Sequence, residues 1–282
     1  MRRSLRGWLA LLPAVLGGCT LSTFDTIMPK DAGSRQIATG VAYGDGPRRT
    51  LDIYAPAGTG KARPVIIFFY GGAWRSGTRT DYHFVGRALA ARGFVAVVPD
   101  YRVVPEVRYP GFVEDGAAAV RWVEAHAAEY GGDPHRIVLA GHSAGAYIAA
   151  MLAVDDRWLG RDRAAVRGLV GLAGPYDFLP LDVDSSQAAF GAWPRPAETQ
   201  PVTWAGAGDP PALLLTGDAD DTVRPRNSQS LAAKLTAAGV PARVVLYPKG
   251  THANILLSIA RPLRSRAPTL EDLTSFATEV TR

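Results

Sequence analysis

The feature that most constrains this chain is Gly141-His142-Ser143-Ala144-Gly145. It follows the apolar run Arg136-Ile137-Val138-Leu139-Ala140 and leads into an Ala-rich stretch ending near Ala153. That order predicts strand, sharp turn, helix. A turn of this kind exposes a serine hydroxyl at the end of a strand, where a base can reach it. The flanking glycines have a steric role, because a bulkier side chain would collide where the helix folds back against the strand. Gly-x-Ser-x-Gly by itself brackets serine in many loops, and the strand-to-helix setting gives the motif its weight.

The surrounding pattern is consistent with a sheet. Gln36 to Tyr43 and Thr50-Leu51-Asp52-Ile53-Tyr54 alternate and are split by Gly44-Asp45-Gly46-Pro47, which predicts an antiparallel hairpin at one sheet edge. From Pro64 the pattern changes: Val65 to Phe69 is an unbroken apolar run, as expected of a strand covered on both faces, Phe94 to Val98 is the next buried strand, and Val166 to Leu172 and Ala212 to Leu215 read as two more central strands. Helical stretches fall at about 81–92, 112–130, 228–238 and 270–280, and Ala242 to Tyr247 is the last strand. Strands alternating with helices after a hairpin predict an α/β fold, a mostly parallel central sheet with helices on both faces. Only Gly174 to Pro211, rich in Pro, Asp and Trp, breaks the rhythm. It is too short for a cap domain and predicts a small, partly helical cover over a fairly open pocket.

The chain of 282 residues is long enough for one large core, and 47% apolar with 20% charged residues argues against disorder. The formal charge of +5 raises the question of nucleic acid. Three of its positive charges, Arg2, Arg3 and Arg6, lie in a leader without Asp or Glu, and no Lys/Arg run follows, so nucleic acid is not an expected partner. After that basic start come Trp8 to Leu16 and Gly17-Gly18-Cys19. The apolar part is too short to span a membrane and fits a secretory signal. Leu16-Gly17-Gly18-Cys19 resembles a bacterial lipobox, which implies cleavage before Cys19 and acylation of that residue, the only cysteine in the chain. An ordinary signal peptide with an incidental cysteine is the alternative. The expected organisation is a signal over 1–18, a polar tether over 19–36 and a catalytic domain over 37–282. The expected location is an exported lipoprotein held at the cell envelope. Thr20 after the cysteine leans toward the outer membrane, by resemblance to enterobacterial sorting.

A serine nucleophile needs a base, and the base needs a carboxylate to hold its tautomer. In an elbow of this type the partners follow the serine as carboxylate, then histidine. Of the five histidines, His83, His126, His135 and His142 precede Ser143 and only His252 lies beyond it, in Gly250-Thr251-His252 after the last strand. His142, inside the elbow, is read as packing or lining. The carboxylate should follow the strand ending at Thr216-Gly217, where Asp218, Asp220 and Asp221 are all candidates. A calcium site on this triplet would lack oxygen ligands, and the chemistry calls for neither metal nor cofactor. Attack on a carbonyl also creates an oxyanion that needs fixed donors, which the glycine loop Tyr70-Gly71-Gly72-Ala73-Trp74 can supply. The N–H groups of Gly72, Ala73 and Ala144 are the expected donors.

Taken together these residues resemble the α/β-hydrolases of the esterase and lipase type, close to the hormone-sensitive-lipase-like, feruloyl-esterase-like and kynurenine-formamidase-like branches. The resemblance covers about residues 37–260. It rests on the Tyr70-Gly71-Gly72-Ala73-Trp74 loop, Pro99-Asp100-Tyr101-Arg102, the elbow, Gly217 to Val223 and His252. It implies a triad of Ser143, Asp220 and His252, with Asp220 preferred through the Gly-x-x-Asp-x-x-Val spacing, Asp221 as runner-up and Asp218 shaping the turn. Asp100, Arg102 and Asp177 are read as structural. The departure is Tyr70, where these families usually carry the histidine that braces the oxyanion loop. The implied activity is hydrolysis of short acyl or aryl carboxylic esters through an acyl-enzyme, with a small-molecule ester as partner. An arylformamidase or other amide hydrolase on the same triad, and a non-catalytic envelope-binding lipoprotein, are the alternatives.

Overall fold

A computed structural model describes residues 18–282 apart from Thr59 and Lys61. The leader expected at the start lies outside the described residues as far as residue 17. Eight strands form one sheet: β1 Ser34–Ala42, β2 Thr50–Pro56, β3 Arg63–Phe69, β4 Val95–Pro99, β5 Gly132–His142, β6 Val166–Leu172, β7 Ala212–Gly217 and β8 Ala242–Tyr247. Their order is β1-β2-β4-β3-β5-β6-β7-β8. Pairing is antiparallel between β1 and β2 and between β2 and β4, and parallel from β4 to β8. The hairpin therefore lies at one edge, as expected, and β2 alone runs against the rest. β3, β4 and β7 are buried almost throughout, which is why their sequences are continuous apolar runs instead of alternating ones.

The helices are α1 Gly18–Ile27, α2 His83–Ala91, α3 Gly111–His126, α4 Ala144–Val154, α5 Asp156–Leu159, α6 Asp184–Phe190, α7 Pro201–Trp204, α8 Arg226–Ala237, α9 His252–Leu257 and α10 Thr269–Val280. Every residue of α4 is buried. A helix that is apolar all round has no face to offer water, so α4 sits in the middle of the molecule and fixes the residue before it, Ser143. The cover between β6 and β7 contains α6 and α7. It is packed down by Phe190, whose ring centroid lies 4.8 Å from that of Trp74. The Tyr147 hydroxyl donates to the Thr199 carbonyl at 2.8 Å, and the Tyr176 and Asp177 amides both donate to Asn227 Oδ1 at 2.9 Å.

The N-terminal segment corrects one expectation. Residues 18–27 form a helix that packs on the body, so the stretch read as a polar tether is not one. Leu21, Phe24 and Met28, at helical spacing, face the core, with Leu21 only 8% exposed. The Phe24 ring meets Phe84 edge-on at 5.4 Å, and buried Asp25 accepts the Phe84 amide at 2.7 Å, satisfying a first-turn N–H of α2. Three apolar residues scattered among polar ones look aperiodic until the surface they cover is known.

Candidate active site

The strain of the elbow is local and visible. Ser143 has φ 53° and ψ −122°, a conformation that costs a non-glycine residue energy and survives only where its neighbours enforce it. They enforce it by close approach. A Cβ on Gly145 would lie 2.0 Å from the Phe69 carbonyl oxygen, and one on Gly141 would lie 2.5 Å from the Gly145 backbone. These contacts bring α4 hard against β3 and β5 and leave the serine at the sheet's carboxyl edge.

The carboxylate candidates separate by burial. Asp220 is 3% exposed, whereas Asp218 and Asp221 are exposed. Asp220 Oδ1 accepts the amides of Thr222 and Val223 at 3.0 and 2.8 Å, and its Oδ2 lies 2.9 Å from His252 Nδ1. A carboxylate with both oxygens engaged has one orientation, and here it fixes that of the imidazole. Asp218 accepts the Lys249 amide at 2.5 Å, and Asp221 lines the larger of two cavities that meet at Ser143. His252 opens α9, whose N-cap is Thr251, with Thr251 Oγ1 accepting the Asn254 amide at 3.3 Å. Ser143 and His252 line the same smaller cavity.

His142 does more than line. Its Nε2 donates to the His252 carbonyl at 3.1 Å, and the two rings lie 4.8 Å apart. Nδ1 is buried and has no hydrogen-bond partner among the described residues. Burial, helped by the nearby His252, pushes its pKa down to about 3, so it stays neutral beside the second imidazole.

The glycine loop stands at positive φ: Gly72 at 137°, Ala73 at 51° and Trp74 at 57°. A side chain on Gly72 would run into the Ser76 carbonyl at 2.2 Å. None of the described hydrogen bonds uses the N–H of Gly72 or Ala73, and Ala144 stands in the first turn of α4, where a helix has no internal acceptor. Tyr70, in the place usually held by histidine, is fully buried between Tyr82 and Tyr101, at ring distances of 5.4 and 4.7 Å. Its hydroxyl donates to Asp100 Oδ1 at 2.9 Å and accepts from Arg48 at 3.0 Å. The loop backbone is braced by the neighbouring tyrosines: Tyr101 Oη donates to the Tyr70 carbonyl at 2.7 Å, and the Gly71 amide donates to Tyr82 Oη at 3.2 Å. Asp100 also takes the Arg79 amide at 2.7 Å, and Arg102 is paired with buried Asp115 at 2.8 Å, so both are structural. Sequence reading missed Arg48, Tyr82, Tyr101 and Leu21. Only the tyrosines around the loop could have signalled Tyr82 and Tyr101.

Comparison with known proteins places this geometry. The isoprenylcysteine alpha-carbonyl methylesterase ICME of Arabidopsis thaliana is 29% identical over 85% of the chain, which spans 61% of that relative's length. The carboxylesterase NlhH of Mycobacterium tuberculosis is 32% identical, with 76% of the chain and 74% of the relative covered. Among solved structures, esterase 2 of Thermogutta terrifontis phosphoramylated by tabun superposes with a TM-score of 0.73 at 27% identity, covering 89% of this chain and 96% of that one. The BD-FAE family model matches residues 51–235, from β2 through the glycine loop, the elbow and the Asp220 turn into α8. Since that stretch is about two thirds of the protein and holds Ser143, Asp220 and the glycine loop, the chain belongs to the BD-FAE family, within the esterase and lipase type of α/β-hydrolases.

Proposed function

We propose that this chain is a serine carboxylesterase acting on small carboxylic esters, with short acyl or aryl groups, through an acyl-enzyme. The observation that carries this reading is the 2.9 Å contact of His252 Nδ1 with buried Asp220, made while His252 and Ser143 line one cavity beside the unused N–H groups of Gly72 and Ala73. Asp220 holds the proton on Nδ1 and leaves Nε2 to act as base. Ser143 Oγ attacks the ester carbonyl carbon as His252 takes its proton, and the carbonyl oxygen becomes an anion held by the N–H groups of Gly72, Ala73 and Ala144. One such donor is worth about 3 kcal/mol. Collapse breaks the bond to the alcohol, which leaves with the proton from His252. Water, deprotonated by the same imidazole, then releases the acid. Trp74 and Phe178 on the wall of the larger cavity, of 480 Å³, support an aryl or short acyl group there.

The reading is tested with a fluorophosphonate probe and 4-nitrophenyl butanoate. Wild type should be labelled and should turn over the ester, and Ser143→Ala should do neither; unlabelled, inactive wild type overturns it.

The same chain is proposed to be exported and lipidated at Cys19. Support comes from the basic start, the short apolar run and the lipobox-like Leu16-Gly17-Gly18-Cys19. Among the described residues no helix is long and apolar enough to cross a membrane. Radiolabelled palmitate should enter the wild type and sediment with membranes, whereas Cys19→Ala should stay unlabelled; equal labelling or equal solubility of the two sinks the anchor.

A further inference from the structure

Two cavities meet at Ser143, and they differ in more than size. The larger, of 480 Å³, extends under the cover past Trp74, Phe178 and Val183. The smaller, of 230 Å³, is lined by His252 and the glycine loop and also by Leu21, Tyr82 and Leu256. His252 borders only the smaller one.

Proton transfer decides which half of an ester goes where. When the tetrahedral intermediate collapses, the electron pair of the breaking C–O bond leaves on the alcohol oxygen, and the proton that neutralises it comes from His252 Nε2. That oxygen has to come within about 2.6–3.2 Å of the imidazole, on the side where the imidazole is exposed. The alcohol therefore enters the smaller cavity, and the acyl group turns toward the larger.

Three of the residues that line the smaller cavity are held in place. Tyr82 and Leu256 are 3% and 1% exposed, and Leu21 is brought in by α1, which the Asp25–Phe84 bond of 2.7 Å and the Phe24–Phe84 ring contact pin to the body. Building on the esterase reading above, we infer that the alcohol is the shorter half of the ester and the acyl or aryl acid the longer, and that Leu21 is the specificity-determining residue that limits the alcohol. The N-terminal helix thus belongs to the binding site.

Isomeric esters test this without changing overall hydrophobicity. Methyl octanoate and heptyl acetate have the same composition, with the bulk on opposite sides of the ester. The wild type should prefer methyl octanoate in kcat/KM by about tenfold or more, the size of discrimination that methylenes give at an apolar contact. Leu21→Ala should raise kcat/KM for heptyl acetate about fivefold or more with little change for methyl octanoate. Leu21→Phe, which keeps the position apolar and buried, should lower turnover of butyl acetate relative to methyl acetate and serves if the alanine variant does not fold. Equal or better use of heptyl acetate by the wild type, or ratios unmoved in the folded Leu21 variants, overturns the inference. Fluorophosphonate labelling of Ser143 without turnover of either isomer also overturns it and leaves the hydrolase reading standing; no labelling and no turnover overturn both.

Discussion

The elbow that carries Ser143 and the loops that carry Asp220 and His252 reach the same point by different physical means. The elbow is held by exclusion: backbone is pressed on backbone at Gly141 and Gly145, and every residue of α4 is buried. The imidazole is held by hydrogen bonds: Asp220 grips its Nδ1, two amides grip Asp220, and His142 holds the His252 carbonyl. Steric exclusion gives Ser143 a single position at a cost in strain. Hydrogen bonds give His252, the proposed base, an orientation it can keep while it gains and loses a proton, which a packed side chain could not do. The two regions should therefore fail differently, the first by losing the fold and the second by losing rate in a protein that still folds.

The largest effects are expected at the groups proposed to react. Ser143→Ala should reduce kcat to background, by about 10⁵-fold or more, with the melting temperature held or raised because the strained residue loses only its oxygen. Asp220→Asn should cost about 10⁴-fold in kcat, since the amide no longer enforces the Nδ1–H tautomer. Asp221→Asn, altering an exposed carboxylate that touches no imidazole, should cost less than about tenfold. Ester hydrolysis rates for the pair settle the assignment, and equal losses would refute it. Gly145→Ala tests the other region. A methyl group 2.0 Å from the Phe69 carbonyl has nowhere to go, so destabilisation of about 4 kcal/mol or more is expected, seen as loss of soluble protein or of the cooperative melt. A folded but inactive Gly145→Ala protein would show that strain, not exclusion, shapes the elbow.

The same contrast explains what could be read in the sequence. Ser143 and its glycines, the buried strands, the edge hairpin and the helical cover are all written in short windows, because exclusion and burial act between residues close in the chain or in plain apolar runs. Chain order points to His252 and a spacing to Asp220, two side chains that lie 2.9 Å apart. What escaped was long-range and polar. Arg48, in the turn between β1 and β2, donates to the Tyr101 carbonyl at 2.9 Å and to Tyr70 Oη at 3.0 Å, and neither contact has a local signature. Nor does Tyr70 itself: its substitution for histidine looked like a missing brace, yet its stacked neighbours supply the hydroxyls that hold the loop. The α1 helix was passed over because its apolar residues are sparse and their partner, Phe84 of α2, lies far along the chain.

Among the hydrogen-bonded supports, His142 should give the smallest effect on rate. His142→Leu removes the donor to the His252 carbonyl and should lower kcat by about tenfold with KM little changed, while His142→Gln, which can place an amide N–H in the same direction, should recover part of the loss. The sharper reading is acid stability. Folded His142 stays neutral down to a pKa of about 3, whereas in the unfolded chain it takes up a proton near the ordinary value of about 6.5. Below that pH the unfolded state binds the extra proton, so stability falls as pH falls, by about 2 kcal/mol between pH 7 and pH 5 from this one group. Replacing His142 with Gln removes the group from both states. Urea midpoints at pH 7 and pH 5 should then move less in the variant than in the wild type, with the other titrating groups cancelling in the comparison. Identical shifts in the two proteins would mean that His142 is protonated in the folded state. A charged His142 would then lie 4.8 Å from the His252 ring and oppose the imidazolium that the proposed mechanism forms there.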